Sequence, residues 1–443
     1  MWSRPVSRRT APGPEIPPAS DHDAPREIVT TEDGTVQSGT NQGGPVADGT
    51  ERGRVGNRGR VEAVDVLRGV VMILMALDHT RDYFGNAAID PTNLATTTGA
   101  LFLTRWVTHF CAPVFFLLTG TGAYLSGRRR SPARLSRFLA TRGLWLVVLE
   151  LTVMRFFWQF NVDYRVTLLT VLWALGWSMV ALAALVRLPL RVTVMVGVVL
   201  IAVHNLADGV PASVLGVLAP LWTVLHAPGP LLVTARAFVF VAYPLVPWIG
   251  VMAVGYGLGQ VFTWIPERRR AFLLRTGTCL TTAFVLLRGL NGYGDPRPWS
   301  AQPGAAFTGL SFLNTTKYPP SLLFLLMTLG PALVALGLLD RRTPRLLRPA
   351  LVVGRVPLFY YLLHVLVLHA LAVVVCVARY GGAHWMVESP SIDRFPMTQP
   401  PGWPASLPGV YLAWATAVVL LYPCCRWYGG FKARRADAWL SYL

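Results

Sequence analysis

The sequence predicts an all-α polytopic integral membrane protein, with about ten transmembrane helices and both termini in the cytoplasm. Three observations carry this reading. Of the 443 residues, 53% are hydrophobic and only 14% charged, where a soluble domain carries about 25% charged residues. Apolar runs long enough to cross a bilayer recur from Val61 to the C-terminal region, each near the ~20 residues a crossing helix needs. Short arginine clusters fall in every second loop, the pattern of the positive-inside rule.

The net charge is +18, from 40 Lys+Arg against 22 Asp+Glu. Such a balance can signal a nucleic-acid partner, but its distribution argues against one. Residues 1–60 hold eight basic and eight acidic residues, so the whole surplus lies among the apolar runs. The five cysteines (111, 279, 376, 424 and 425) are scattered and form no C-x-x-C, so neither a disulfide framework nor a zinc knuckle is legible.

Residues 1–57 are rich in Pro, Gly, Thr, Asp and Arg and poor in aromatics, a composition that cannot offset its ordering entropy. A disordered tail without an apolar signal-peptide region is expected there. Residues 58–430 form the membrane domain and 431–443 a short cytoplasmic tail. The expected spans are 63–83, 102–126, 138–159, 165–186, 189–206, 231–262, 271–290, 319–339, 350–379 and 407–427. The proline-rich piece 207–230 reads as interfacial or re-entrant. The run 231–262 is too long for one crossing, and Pro244 and Pro247 should break it. Beyond that break, Gly255 and Gly259 are spaced for close helix packing. Orientation rests on Arg52, Arg54, Arg58 and Arg60, on 128–137, 187–191, 268–270 and 341–348, and on Lys432, Arg434 and Arg435. Each cluster follows an even number of crossings.

Ionisable groups inside spans are costly and are functional candidates for that reason. The first span ends in Asp78-His79-Thr80-Arg81-Asp82, where residues three apart can pair. Arg105 and His109 are one turn apart on the second span. Glu150 lies near the middle of the third, with an ion pair to Arg155 as its plainer role. His364 and His369 lie on the ninth. Of eight histidines, one lies in the tail and none in an inner loop. An acid–base site opening outward follows, with Asp78, His79, His109, Glu150 and His364 sharing one polar cavity. His204, His226 and His384 read as ordinary loop histidines. Asp65 and Arg68, three apart at the inner mouth of the first span, could pair or hold an anion. No metal is expected, for no short-range ligand motif is present, and no G-x-S-x-G marks a serine hydrolase.

Five stretches resemble the heparan-alpha-glucosaminide N-acetyltransferase-like catalytic domain family, in its bacterial integral-membrane branch. They are Arg60–Gly69 continued by Met75–Phe84, Thr104–Gly120 with His109-Phe110-Cys111-Ala112-Pro113, Leu144–Leu151, Lys317-Tyr318-Pro319-Pro320-Ser321, and Gly354–Tyr360 running to His364. The likeness covers roughly residues 58–430. It implies a membrane acyltransferase using cytosolic acetyl-CoA as co-substrate. It also implies a glycan or small-metabolite acceptor on the far side of the bacterial cytoplasmic membrane, and it leaves room for a homodimer. In the lysosomal members the catalytic His lies between the first two helices. Residues 83–101 here contain no His, the corresponding position falls near Asp90, and the neighbouring histidines are His79 and His109.

Acyl transfer from a thioester needs a base or nucleophile and a donor for the oxyanion. His79 is the expected general base, tuned by Asp78 or Asp82. His109 is the second choice, and His364 would position or polarise the thioester carbonyl. Arg68, Asp65, Arg105 and Arg355 are the residues expected to bind the anionic donor. A transporter or flippase is the competing class, since it too would carry charges at mid-membrane.

Overall fold

The computed structural model describes residues 61–403, 405–435 and 437. The tail 1–57, the basic residues Arg52, Arg54, Arg58 and Arg60, and most of the chain beyond Arg435 lie outside the described residues.

The chain is mostly helical. In order it forms α1 (Glu62–Phe84), α2 (Gly99–Thr108), α3 (Cys111–Gly127), α4 (Pro132–Leu149), α5 (Arg155–Gln159), β1 (Val166–Leu169), α6 (Val171–Leu185) and α7 (Leu190–Val203). Then follow α8 (Ala219–Leu225), β2 (Gly229–Val233), β3 (Phe238–Val241), α9 (Leu245–Val261), α10 (Pro266–Leu290) and α11 (Ala305–Leu313). The last are α12 (Leu322–Leu339), α13 (Arg348–Gly354), α14 (Pro357–Tyr380), α15 (His384–Val387) and α16 (Leu407–Arg434). Hydroxyl caps start several of them. The side chain of Ser131 accepts from Arg134 N, Ser321 from Phe324 N and Ser406 from Gly409 N, satisfying amides that a helix N-terminus leaves open.

Among the described residues, six helical stretches are long and apolar enough to cross a membrane: Gly99–Gly127, Leu190–Ala207, Pro266–Leu290, Leu322–Leu339, Pro357–Tyr380 and Leu407–Arg434. Helix α1 is 23 residues long, but six of them are charged, and five of these, Asp65, Arg68, Asp78, Arg81 and Asp82, enter the sites described below. The expectation of an all-helical chain needs correction at one place. β1, β3 and β2 form a three-stranded sheet, β1 parallel and β2 antiparallel to β3. The strands are Val-Thr-Leu-Leu and Phe-Val-Phe-Val, rich in the β-branched and aromatic residues that suit a pleated surface. The expected spans 165–186 and 231–262 therefore each open with strand, and α9 starts directly after Pro244.

Helices approach closely where glycine removes the side chain. A Cβ on Gly120 would lie 2.1 Å from Met252 O, and one on Gly255 2.2 Å from Leu117 O, so α3 and α9 touch backbone to backbone. The tightest contact joins α1 to α13. A Cβ on Gly69 would lie 1.8 Å from Ala350 O, and one on Gly354 1.8 Å from Asp65 O. No flexible atom there can give way. Gly354→Ala should therefore cost about 1–3 kcal/mol of stability, the range for overpacking, read as a lowered midpoint of thermal unfolding in detergent. Gly289→Ala, where a Cβ meets nothing within 4 Å, should leave that midpoint unchanged or raise it.

Candidate functional site

The α1–α13 contact positions a basic cavity. Arg68 donates from Nη1 to Asp65 Oδ1 at 3.0 Å and to Gly354 O at 3.4 Å, which points it along the seam beside Arg355. The cavity has a volume of about 350 Å³. Its rim carries Arg68, Arg130, Arg142, Arg355 and Lys432, and its wall includes Phe115, Leu118, Leu146, Leu172 and Leu358. Asp65 is 3% exposed and is not part of that lining. It holds Arg68 in place.

Asp78 lies ten residues further along α1, about 15 Å by helical rise. Both of its carboxylate oxygens accept from Arg105 Nη1. Arg81 Nη2 approaches at 3.4 Å and Lys317 Nζ at 3.6 Å. Arg105, expected at the donor site, thus stands at the opposite end of α1 from Arg68. His109 sits at the break between α2 and α3, 2% exposed, its ring 5.4 Å from that of Phe324. Arg105, Lys317, Asp78 and Arg81 set the local field at His109.

His79 faces a different set of groups. Its Nδ1 lies 3.2 Å from Asp82 Oδ2, and its ring sits 4.8 Å from Trp158 and 5.2 Å from His364. Of the two expected partners it is Asp82 that touches His79, while Asp78 is taken by cations. Asp82 also accepts from Arg81 at 2.9 Å. His364 is fully buried, with Nδ1 3.1 Å from Tyr360 O. A carbonyl can only accept, so Nδ1 carries the proton and Nε2 the lone pair. Among the described residues that Nε2 is buried without a hydrogen-bond partner, as is the Tyr361 hydroxyl, and the Tyr361 ring lies 5.4 Å from His364.

Glu150 is bound to the residue that precedes α6. Its Oε1 accepts from Thr170 N at 2.8 Å and from the Thr170 hydroxyl, while Oε2 is buried without a partner. The ion pair to Arg155 does not form. Glu150 lies in a π-helical turn, Glu150–Met154, and its carboxylate is taken by Thr170. Arg155 turns instead to Asn161 and Asp163, at 2.9 and 3.2 Å. Glu150 and Thr170 lie close in sequence to Leu146 and Leu172 of the cavity wall, and Tyr361 lies one turn beyond Leu358.

His369 and His226 are tied to structure. Both ring nitrogens of His369 face carbonyls, Phe157 O at 2.9 Å and Met386 O at 2.7 Å. His226 meets Asp208 at 3.2 Å. Burial pushes the Asp208 carboxyl up, but His226 and Asn205 hold it below the usual carboxylate range. Among the described residues no group of three or more His, Cys, Asp or Glu is placed to hold a metal.

Two residues were missing from the expected site. Asp82 was named only as a tuning group, and Lys317 only as part of a motif. A compositional signal could have raised Lys317, because the chain contains just two lysines, Lys317 and Lys432. One reaches Asp78 and the other lines the basic cavity.

The apolar helices and a family match together mark an N-acetyltransferase-like membrane enzyme. Residues 60–289 match the family model described as heparan-alpha-glucosaminide N-acetyltransferase, catalytic, and the chain belongs to that family. The match includes Arg68, Asp78, His79, Arg105, His109 and Glu150, while Lys317, Arg355 and His364 lie beyond it. No curated protein matches the chain.

Proposed function

We propose that the chain transfers an acetyl group from cytosolic acetyl-CoA to an amine or hydroxyl of an extracytoplasmic glycan or small metabolite. The catalytic unit spans 58–430, crosses the membrane about ten times and keeps both termini in the cytoplasm, so the basic cavity opens to the cytosol. The observation that carries the reading is that cavity: five cations on its rim and an apolar wall below them. The rim suits the phosphates of the donor's nucleotide, and the wall suits its pantetheine arm.

His79, oriented by Asp82, takes the proton from the acceptor as its nitrogen or oxygen attacks the thioester carbonyl. The C–S bond breaks, the acetyl group stays on the acceptor, and the proton ends on the departing CoA sulfur. His364 presents a lone pair and so fits proton transfer toward that sulfur better than polarising the carbonyl. The Tyr361 hydroxyl is the nearer candidate for that donor role. Asp65 serves the donor site through Arg68, and Arg105 serves the acceptor end.

The test is CoA-dependent stabilisation of the full-length protein in detergent. Ligand at 100 times its Kd should add about 2.7 kcal/mol, seen as a raised unfolding midpoint. A wild type that neither shifts with CoA nor releases it from acetyl-CoA would hand the site to the transporter reading. Topology is tested separately. With exposed Cys279 and Cys424 replaced by Ser, Arg129→Cys should react with an impermeant thiol reagent only from the cytosolic side.

A further inference from the structure

The hydrogen bonding around Asp78 is incomplete in one direction. Arg81, Arg105 and Lys317 face Asp78 and Asp82, so three cations meet two carboxylates and one positive charge is left over. The unfilled positions are largely on donors. Among the described residues Arg81 Nε, a donor, is buried with no partner, as is His109 Nδ1, which donates in one tautomer. The Lys317 side chain is 7% exposed, and its ammonium lies 3.6 Å from Asp78 and 5.2 Å from the Tyr318 ring. Buried donors left open cost free energy unless something accepts from them.

The fold also holds Lys317 in place. Asp295 accepts from Thr316 N at 2.8 Å, from Thr316 Oγ1 at 3.0 Å and from Ser321 Oγ at 2.7 Å, clamping the turn on both sides of the lysine. Arg288 stands 3.9 Å from Asp295 and donates to four backbone carbonyls of the same loop. The cluster is not sealed, since the Asp82 side chain keeps 29% exposure and that of His79 17%.

We infer that Lys317, Arg81 and His109 form an anion subsite, which takes a carboxylate, phosphate or sulfate carried by the acyl acceptor. The inference rests on the acyltransferase reading. Asp78 and His79 are neighbours on α1, so their side chains diverge by about 100°. An anion seated on the Asp78 side therefore lies beside the His79 centre and not on it. That placement fits a substituent of the acceptor better than the oxyanion of the transferring acetyl group. Arg81 links the two sides, contacting both Asp78 and Asp82.

The probes are inorganic phosphate and sulfate, added to full-length protein in detergent with saturating CoA to occupy the other cluster of cations. Unfolding midpoints are compared with chloride at equal ionic strength. The wild type should show saturable stabilisation by both oxyanions. Lys317→Gln brings the local charge to zero and should weaken that response at least about tenfold, while Lys317→Arg should retain it. Arg81→Gln gives an independent reading if Lys317→Gln does not fold. A wild type indifferent to both oxyanions overturns the subsite, as does a Lys317→Gln response equal to the wild type. Failure of the acyltransferase reading shows separately, as absence of any shift with CoA alone.

Discussion

Purified His79→Ala should release CoA from acetyl-CoA about 10²–10⁴-fold more slowly than the wild type, the usual consequence of losing a general base. D-glucosamine serves as a trial acceptor, and CoA thiol is measured directly. The effect should be large because no other imidazole has the same setting. His364 is the nearest, but it is fully buried and its Nδ1 is committed to Tyr360 O. His109 is buried against Phe324 at the break between α2 and α3. The fold should survive. The His79 side chain is partly exposed and makes one side-chain hydrogen bond, to Asp82. Its loss should leave the CoA-dependent shift in unfolding midpoint intact. Asp82→Asn should be milder, because it keeps the geometry and removes only the charge that orients the ring. A His79→Ala enzyme that released CoA at the wild-type rate would move the base to His109.

Arg142→Gln combined with Arg355→Gln should raise the KM for acetyl-CoA about 10²-fold or more while kcat changes little. Each charge-assisted hydrogen bond to phosphate contributes about 1.5–3 kcal/mol, and binding lost equally from ground and transition states appears in KM. Both residues lie on the cavity rim. Arg68 is a poorer choice for this test, because removing it also strips buried Asp65 of the guanidinium 3.0 Å away. An alternative donor separates binding from damage. S-acetyl-N-acetylcysteamine carries the thioester without the nucleotide, so the double variant should use it as well as the wild type does. If the variant instead loses both donors equally, or neither, the rim does not hold the nucleotide. Donor binding should also weaken as salt screens the rim.

The membrane class and the family were legible in the sequence, because both rest on properties that survive without coordinates. Apolar run length, low charge and the arginine pattern are set by the bilayer, which acts on each segment separately. Motifs such as Asp78–Asp82 and Gly354–Tyr360 are contiguous and can be read in one dimension. Helix packing at Gly255 was readable for the same reason, since small residues at this spacing share a face. Local pairings three apart were readable too, and Arg68 does meet Asp65, as His79 meets Asp82.

What only the tertiary structure decided is which charges serve which site. Asp78 is adjacent to His79 in sequence, yet adjacent side chains on a helix diverge. Asp78 went to Arg105, Arg81 and Lys317, and His79 to His364 and Trp158. Lys317 reaches Asp78 across a separation that no spacing rule covers, carried there by the loop that Asp295 clamps. Arg105 was expected with Arg68 at the anionic donor. The length of α1 keeps them at opposite ends. Glu150 went to Thr170 and Arg155 to Asn161 and Asp163, and the sheet β1–β3–β2 was hidden inside runs whose apolarity suits strand and helix alike. For Asp78 with Arg105 and Lys317, and for His79 with His364 and Trp158, the deciding contact joins segments far apart in the chain. Its partner is chosen by packing and by the cost of burying an unpaired charge, neither of which leaves a local periodic trace.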